Sequence, residues 1–122
     1  MAKPSVTLKK LRAFALTLPE TNEEFPWGDP VVKVRKKIFI FLGQGMAPNL
    51  KIGLKLHESN HAALGVRGAA PTAYGLGKAG WVTIPIEGDE PPTEILIEWI
   101  VESYRLIAPK KLAALMDAVA EC

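Results

Sequence analysis

Cysteine is nearly absent from this chain of 122 residues, and the single one, Cys122, is the C-terminal residue. One thiol closes no disulfide within the chain, so the fold must be held together by its apolar core. This cysteine usage favours a cytoplasmic protein.

Long hydrophobic runs are missing as well. Lys9, Lys10 and Arg12 interrupt the apolar residues near the N-terminus, and a bilayer span needs about 20 consecutive, mainly apolar residues. We therefore expect neither a signal peptide nor a membrane role.

Acidic residues are scarce in the middle of the chain. Residues 31 to 86 contain Glu58 alone, whereas residues 87 to 122 contain eight acidic residues. The same middle segment holds eight basic residues, which are Lys33, Arg35, Lys36, Lys37, Lys51, Lys55, Arg67 and Lys78. The net charge of +2 therefore hides a strongly cationic segment, and such asymmetry points to an anionic partner.

The pattern of apolar residues predicts one α+β domain spanning residues 1–122, with a hydrophobic fraction of 48% that is ordinary for a globular protein. We expect a helix over 6–18, a loop over 20–30 whose Phe25 and Trp27 fold back onto the core, and strands over 31–35, 38–42, 50–56 and 81–86. We also expect a short helix over 60–64 and helices that begin at Thr93 and Pro109. Hairpin-type connections predict an antiparallel β-sheet with helices packed on one face. The helix from Thr93 is expected to bury Trp99, Ser103 and Leu106.

The segment GLGKAG at residues 75–80 has the spacing of the dinucleotide-binding fingerprint G-x-G-x-x-G. That fingerprint requires a helix after the glycines, because the N-terminal N–H groups of the helix bind the pyrophosphate. Here the predicted strand that begins at Trp81 follows instead. We therefore interpret the segment as a connecting loop and predict no nucleotide cofactor.

The segment HESNH at residues 57–61 spells the zinc-peptidase pattern H-E-x-x-H. The pattern works on one continuous helix, where His57 and His61 would share a face. Ser59 and Asn60 favour a helix that starts between the two histidines, and no third histidine is present. A zinc-dependent hydrolase is thus only a third alternative, and the sequence shows no other catalytic arrangement and no expected metal site.

The basic segment from Lys33 to Lys37 is expected to form the tip of a β-hairpin. A two-residue turn at Arg35 and Lys36 would demand positive φ, which is unfavourable for residues with a Cβ, so a longer turn is favoured. Such a tip can lie along phosphates, and Lys51, Lys55, Arg67 and Lys78 could extend the contact. Alternatively, exposed strand lysines serve to keep sheet edges from pairing with other molecules.

Several short strings together resemble the MmcQ/YjbR family in the expected order over nearly the whole chain. They are LPE at 18–20, FPWG at 25–28, KVRKKIF at 33–39, the segment 74–81, the segment 100–104 and PKK at 109–111. The resemblance implies a frataxin/CyaY-like α+β fold and DNA binding through two β-hairpin wings. It places the first wing at Lys33 to Ile38 and makes Lys78 and Trp81 recurring positions.

The chain departs from the family pattern at two places and from the frataxins at a third. Relatives often have glycine where Lys36 stands, and an asparagine or histidine pattern where GLG stands. Frataxin-type iron binding should not be transferred, because it needs an acidic ridge on the first helix, where this chain has basic residues.

Two functions from different classes remain open. The first is a non-enzymatic, monomeric DNA-binding protein that contacts phosphates through the basic hairpin and a sheet face. The second is a module that binds a protein or small molecule in an aromatic pocket formed by Phe25, Trp27, Tyr74 and Trp81.

Overall fold

The computed structural model describes residues 4–25, 30–44, 51–72, 76–86, 90–112 and 114. Its elements, in chain order, are helix α1 (Pro4–Ala15), strands β1 (Thr21–Glu24), β2 (Val31–Val34), β3 (Lys37–Gln44) and β4 (Lys51–Lys55), helix α2 (Asn60–Leu64), strand β5 (Ala70–Pro71), a 3₁₀ helix (Leu76–Ala79), strand β6 (Trp81–Pro85) and helix α3 (Thr93–Ile107). Within these described residues, no helix is both long enough and apolar enough to cross a bilayer.

The strands form one antiparallel sheet in the order β1-β2-β3-β4-β6-β5. In β4 the side chains of Ile52 and Leu54 are fully buried, whereas Lys51 is exposed and Lys55 is half-buried. Alternate residues of a strand point to opposite faces, so the apolar face of β4 lies in the core. The predicted α+β fold with an antiparallel sheet is therefore confirmed.

Helix α3 covers the core face of the sheet, packing across β3 and β4, while α1 packs against α3. Leu96, Ile100 and Tyr104 of α3 are fully buried. The Tyr104 ring meets the Phe39 ring edge-on, with centroids 5.3 Å apart, and its hydroxyl donates to the Pro19 carbonyl at 2.8 Å. Tyr104 thus ties α3 both to the sheet and to the segment that follows α1.

The predicted loop over 20–30 is wrong in its first part, because Thr21–Glu24 forms the edge strand β1. Three of its four residues, Asn22, Glu23 and Glu24, have little intrinsic strand preference, so pairing with β2 rather than local sequence makes this strand. Phe25, which follows β1, is 59% exposed. The prediction that its ring folds back onto the core is therefore wrong, while Trp27 lies outside the described residues.

The end of α3 also departs from the prediction. Trp99 and Ser103 are buried as expected, but Leu106 is 41% exposed. The helix ends one residue after Leu106, and the chain turns to an extended conformation at Ala108 (φ −68°, ψ 152°). No further helical turn therefore covers Leu106. In the predicted last helix, residues 110–112 and 114 are helical.

Candidate nucleic-acid interface

The turn that joins β2 to β3 contains only Arg35 and Lys36, because Val34 pairs with Lys37. Arg35 has a φ of 57°, the strained conformation that had favoured a longer turn. The prediction of a longer turn is thus wrong. A second residue with a φ of 57°, Glu20, lies opposite Arg35, and the two hold each other in place.

Glu20 supports Arg35 through both backbone and side chain. The Arg35 N–H donates to the Glu20 carbonyl at 3.0 Å. The guanidinium donates from Nε and Nη2 to the two carboxylate oxygens of Glu20 at 3.1 and 3.2 Å. The hydrogen bond to Glu20, and then its charge, raise the pKa of Arg35. A bidentate pair of this kind fixes orientation, so Arg35 serves the turn itself.

Lys33 is also paired. It alternates with the buried residues Val32 and Val34 and so faces away from the helices. Its ammonium group lies 3.2 Å from one carboxylate oxygen of Glu24, and the other oxygen of that carboxylate accepts from the Asn22 amide at 2.9 Å. The Asn22 bond, followed by the Lys33 bond, lowers the pKa of Glu24. Much of the charge of Lys33 is therefore offset on the surface.

Four other lysines converge at one end of the sheet. Lys36 is in the turn, Lys37 begins β3, Lys55 ends β4 and Lys78 precedes the start of β6. Because β3, β4 and β6 are antiparallel neighbours, the start of β3, the end of β4 and the start of β6 lie at the same end. We call Lys36, Lys37, Lys55 and Lys78 the cationic rim.

The cationic rim is available to solvent and to ligands. Lys36, Lys37 and Lys78 are exposed, and Lys55 is half-buried. Among the residues that the structure describes, no carboxylate lies within salt-bridge distance of these four ammonium groups. With neighbouring strands about 4.8 Å apart, the rim spans roughly 10 Å from β3 to β6.

The Ser103 hydroxyl of α3 bridges β3 and β4 beside the rim. It accepts from the Lys55 N–H at 3.0 Å and donates to the Phe39 carbonyl. The ladder between β3 and β4 begins one residue further in, at Ile40 and Leu54. The Ser103 hydroxyl thus replaces a direct strand-to-strand bond and positions Lys55. Its helical spacing indicated burial, but nothing in the sequence indicated this polar bridge.

The segment GLGKAG forms a short connection that leads into β6. Leu76–Ala79 forms the 3₁₀ helix, and β6 follows Gly80 directly, which confirms the predicted strand. Gly80 has a φ of 101°, and a Cβ there would lie 2.7 Å from the Leu56 carbonyl oxygen. Its own carbonyl accepts from the Leu56 N–H at 2.9 Å. The glycine therefore allows the close approach that brings Lys78 to the end of β4.

The remaining cations lie elsewhere. Lys51 is at the opposite end of β4, where it pairs with Pro85. Arg67 follows α2 in a loop and is exposed. The structure therefore separates the predicted nucleic-acid contacts into the rim, the ion-paired residues Arg35 and Lys33, and these two distant positions.

The predicted aromatic pocket is only partly within the described residues, since Trp27 and Tyr74 lie outside them. Trp81 is 8% exposed and packs against Phe41, with ring centroids 5.4 Å apart. Phe25 follows β1, which is separated from β6 by β2, β3 and β4, or roughly 19 Å at normal strand spacing. The structure thus does not bring Phe25 and Trp81 together.

The two histidines of HESNH are also separated. Helix α2 starts at Asn60, so His57 precedes it and His61 lies within it, and both are exposed. The carboxylate of Glu102 accepts from the His57 N–H at 2.8 Å and from the Ser59 hydroxyl at 2.7 Å. Over the described part of the chain, no three His, Cys, Asp or Glu residues are grouped so as to hold a metal.

Comparisons with known proteins agree with this architecture. A family model described as YjbR matches residues 16–106. The crystal structure of Deinococcus radiodurans protein DR2400, described as a DUF419 domain, is similar with a TM-score of 0.72 and 28% sequence identity. The similarity covers 91% of this chain and 85% of that one. No curated protein matches the chain, and the frataxin-like label stays a prediction. The match over residues 16–106, which include the sheet, the rim and all but the last residue of α3, shows that the chain belongs to the MmcQ/YjbR family.

Proposed function

We propose that this chain is a non-enzymatic, monomeric protein of the cytoplasm that binds DNA through phosphate contacts of the cationic rim. The observation that carries the proposal is the convergence of Lys36, Lys37, Lys55 and Lys78 at one end of the sheet. Eight cations dispersed around the molecule would give no such surface.

The chemistry of the rim suits a phosphate backbone. Each lysine ammonium is a compact point charge, which attracts phosphate but carries no information about base sequence. The rim also includes Lys36 of the projecting β2–β3 turn, and a two-stranded ribbon fits the roughly 12 Å wide major groove of B-DNA. We therefore expect binding with little sequence preference.

The two ion-paired cations, Arg35 and Lys33, contribute less to DNA affinity than their charge suggests. Arg35 and Lys33 must exchange a carboxylate partner on the protein for a phosphate. Rim lysines release only water and counterions when they bind. The four rim residues therefore set the expected salt dependence, with a slope of log K against log salt of about −3.6 for duplex DNA, at about −0.9 per phosphate contact.

Fluorescence anisotropy with a labelled DNA duplex tests the proposal. The rim variant Lys55→Ala/Lys78→Ala should weaken binding and make the salt slope shallower by about 2, because it removes two phosphate contacts. The control variant Lys9→Ala/Lys10→Ala removes the same charge from exposed positions of α1. It should leave the slope unchanged.

Two results would overturn the proposal. One is the absence of DNA binding at low salt, and the other is equal loss of affinity in the rim variant and the α1 control. A second duplex of unrelated sequence should bind within a fewfold of the first, because phosphate contacts carry no base readout.

A further inference from the structure

A groove lies between the β2–β3 turn and the end of α3. Its volume is about 620 Å³, within the roughly 300 to 1,000 Å³ typical of small-molecule sites. The groove is lined by Val34, Arg35, Lys36, Lys37, Leu106, Ile107, Ala108, Pro109 and Lys110. It was not predicted from the sequence, where Leu106 was assigned to the core.

The lining combines an apolar floor with cationic walls. Leu106, Ile107 and Pro109 supply the floor, and Leu106 is 41% exposed. The side chains of Lys36, Lys37 and Lys110 are exposed, and none of the lining residues in the described part of the chain carries a carboxylate. An exposed leucine alone carries little information. A leucine floor enclosed on several sides by cations favours a ligand that is both apolar and anionic.

Two depressions adjoin the groove at Leu106; one is lined by Lys55 and Lys78, and the other has the opposite charge. It shares Leu106 with the groove, has a volume of about 440 Å³ and is lined by Glu58, Glu98 and Glu102 beside His57 and Arg105. Glu102 is already bonded to the residues that precede α2. An anion placed over Leu106 is therefore drawn toward the lysines and repelled from the other side, which orients its head group.

Stabilisation of α3 explains only part of this arrangement. Cations near a helix C-terminus interact favourably with the helix dipole, and Lys110 follows the end of α3. The dipole does not account for an apolar floor left open to solvent. It also does not account for the lysines that the β2–β3 turn brings from the other side of the groove.

We propose that this groove binds a small amphiphilic anion, a molecule with an apolar body and one carboxylate, sulfonate or phosphate head group. The body lies on Leu106, Ile107 and Pro109, and the head group contacts the lysine ammonium groups. The groove shares Lys36 and Lys37 with the cationic rim, but its apolar floor and Lys110 lie outside the rim, so its ligand is distinct from DNA and the proposal does not rest on DNA binding.

A matched pair of dyes tests the proposal on the full chain. Anilinonaphthalene sulfonate has an aromatic apolar body and a sulfonate, and phenylnaphthylamine has the same body without the charge. We expect saturable one-to-one binding of the sulfonate, measured by fluorescence titration. The neutral dye should bind about tenfold more weakly or worse, since charge-assisted bonds typically contribute that much.

Three variants locate the site. Lys37→Ala/Lys110→Ala should weaken sulfonate binding about tenfold or more and leave the neutral dye unchanged. Leu106→Ser should weaken both dyes, and because this side chain is 41% exposed the variant should fold normally. Lys9→Ala/Lys10→Ala serves as the charge-matched control and should bind both dyes as the parent does.

The outcomes separate this site from the DNA interface. Lys55 and Lys78 line a separate depression and not the groove, so the rim variant Lys55→Ala/Lys78→Ala should lose DNA affinity and change sulfonate binding less than Lys37→Ala/Lys110→Ala does. Either proposal can therefore fail alone. Equal binding of the two dyes, or sulfonate binding that Lys37→Ala/Lys110→Ala does not change, would overturn the groove proposal. Near-ultraviolet circular dichroism of each variant confirms native packing, so that dye binding to an unfolded fraction is recognised.

Discussion

Replacing Ser103 by alanine should destabilise the protein much more than the loss of one hydroxyl from a surface would. Ser103 is fully buried, and its hydroxyl is the partner of the Lys55 N–H and of the Phe39 carbonyl. Alanine leaves both backbone groups without that partner at the place where β3 and β4 separate. An unsatisfied buried polar group costs about 1 to 3 kcal/mol.

The two groups together predict a loss of about 2 to 6 kcal/mol in the free energy of unfolding. For a chain of this length that corresponds to roughly 8 to 24 °C in the melting temperature, at about 4 °C per kcal/mol. Urea denaturation followed by far-ultraviolet circular dichroism measures the first quantity, and a thermal scan measures the second. Glu98→Ala, at an exposed position of the same helix, should change stability by no more than about 0.5 kcal/mol.

Amide hydrogen exchange adds a local measurement. The Lys55 amide should lose protection in Ser103→Ala, because its acceptor is gone. A variant whose unfolding free energy stays within about 0.5 kcal/mol of the parent, with Lys55 still protected, would refute the bridge and the assignment of Ser103 as its centre.

Two further predictions concern residues that hold the turn and α3 in place. Burial raises the pKa of Tyr104 above 10, so its neutral form stabilises the fold below pH 10, and this contribution is lost as the pH rises through the raised pKa. Tyr104→Phe should abolish that loss of stability at alkaline pH in pH-dependent melting curves. Melting curves whose alkaline part is unchanged in the variant would contradict the assignment. Glu20→Gln removes the carboxylate that faces Arg35. If the chain binds DNA as proposed, the released guanidinium should make the slope of log K against log salt steeper by about 0.9 in anisotropy titrations. An unchanged slope would show that Arg35 does not reach phosphate.

The sequence predicted those elements whose own residues determine them. Strand β4 alternates apolar and polar residues, and α3 carries an apolar stripe, so both could be identified from periodicity alone. Strand β1 could not be identified, because three of its four residues, one asparagine and two glutamates, have little strand preference and pair only because β2 lies beside them. Leu106 continues the helical stripe, but its exposure depends on where the helix ends.

The candidate site was predictable as a set of charges but not as a surface. A count of basic residues could not separate Lys51 from Lys55, which are at opposite ends of one strand. That separation follows from strand order and direction, which the sequence does not state. The pairing of Arg35 with Glu20 also depends on residues 15 positions apart, and it reverses the expectation for the turn.

The contacts of α3 have a consequence for the order in which the chain can complete its fold. Helix α2 has only five residues, too few to persist alone in water. The backbone N–H groups of His57 and Ser59, just ahead of α2, donate to Glu102, which comes 45 and 43 residues later in the chain. The bridge between β3 and β4 likewise waits for Ser103, which comes 48 residues after Lys55. On a ribosome the sheet and α2 must therefore stay incomplete until α3 has emerged, and a fragment that stops before Thr93 should expose the apolar face of β3 and β4 to chaperones and proteases.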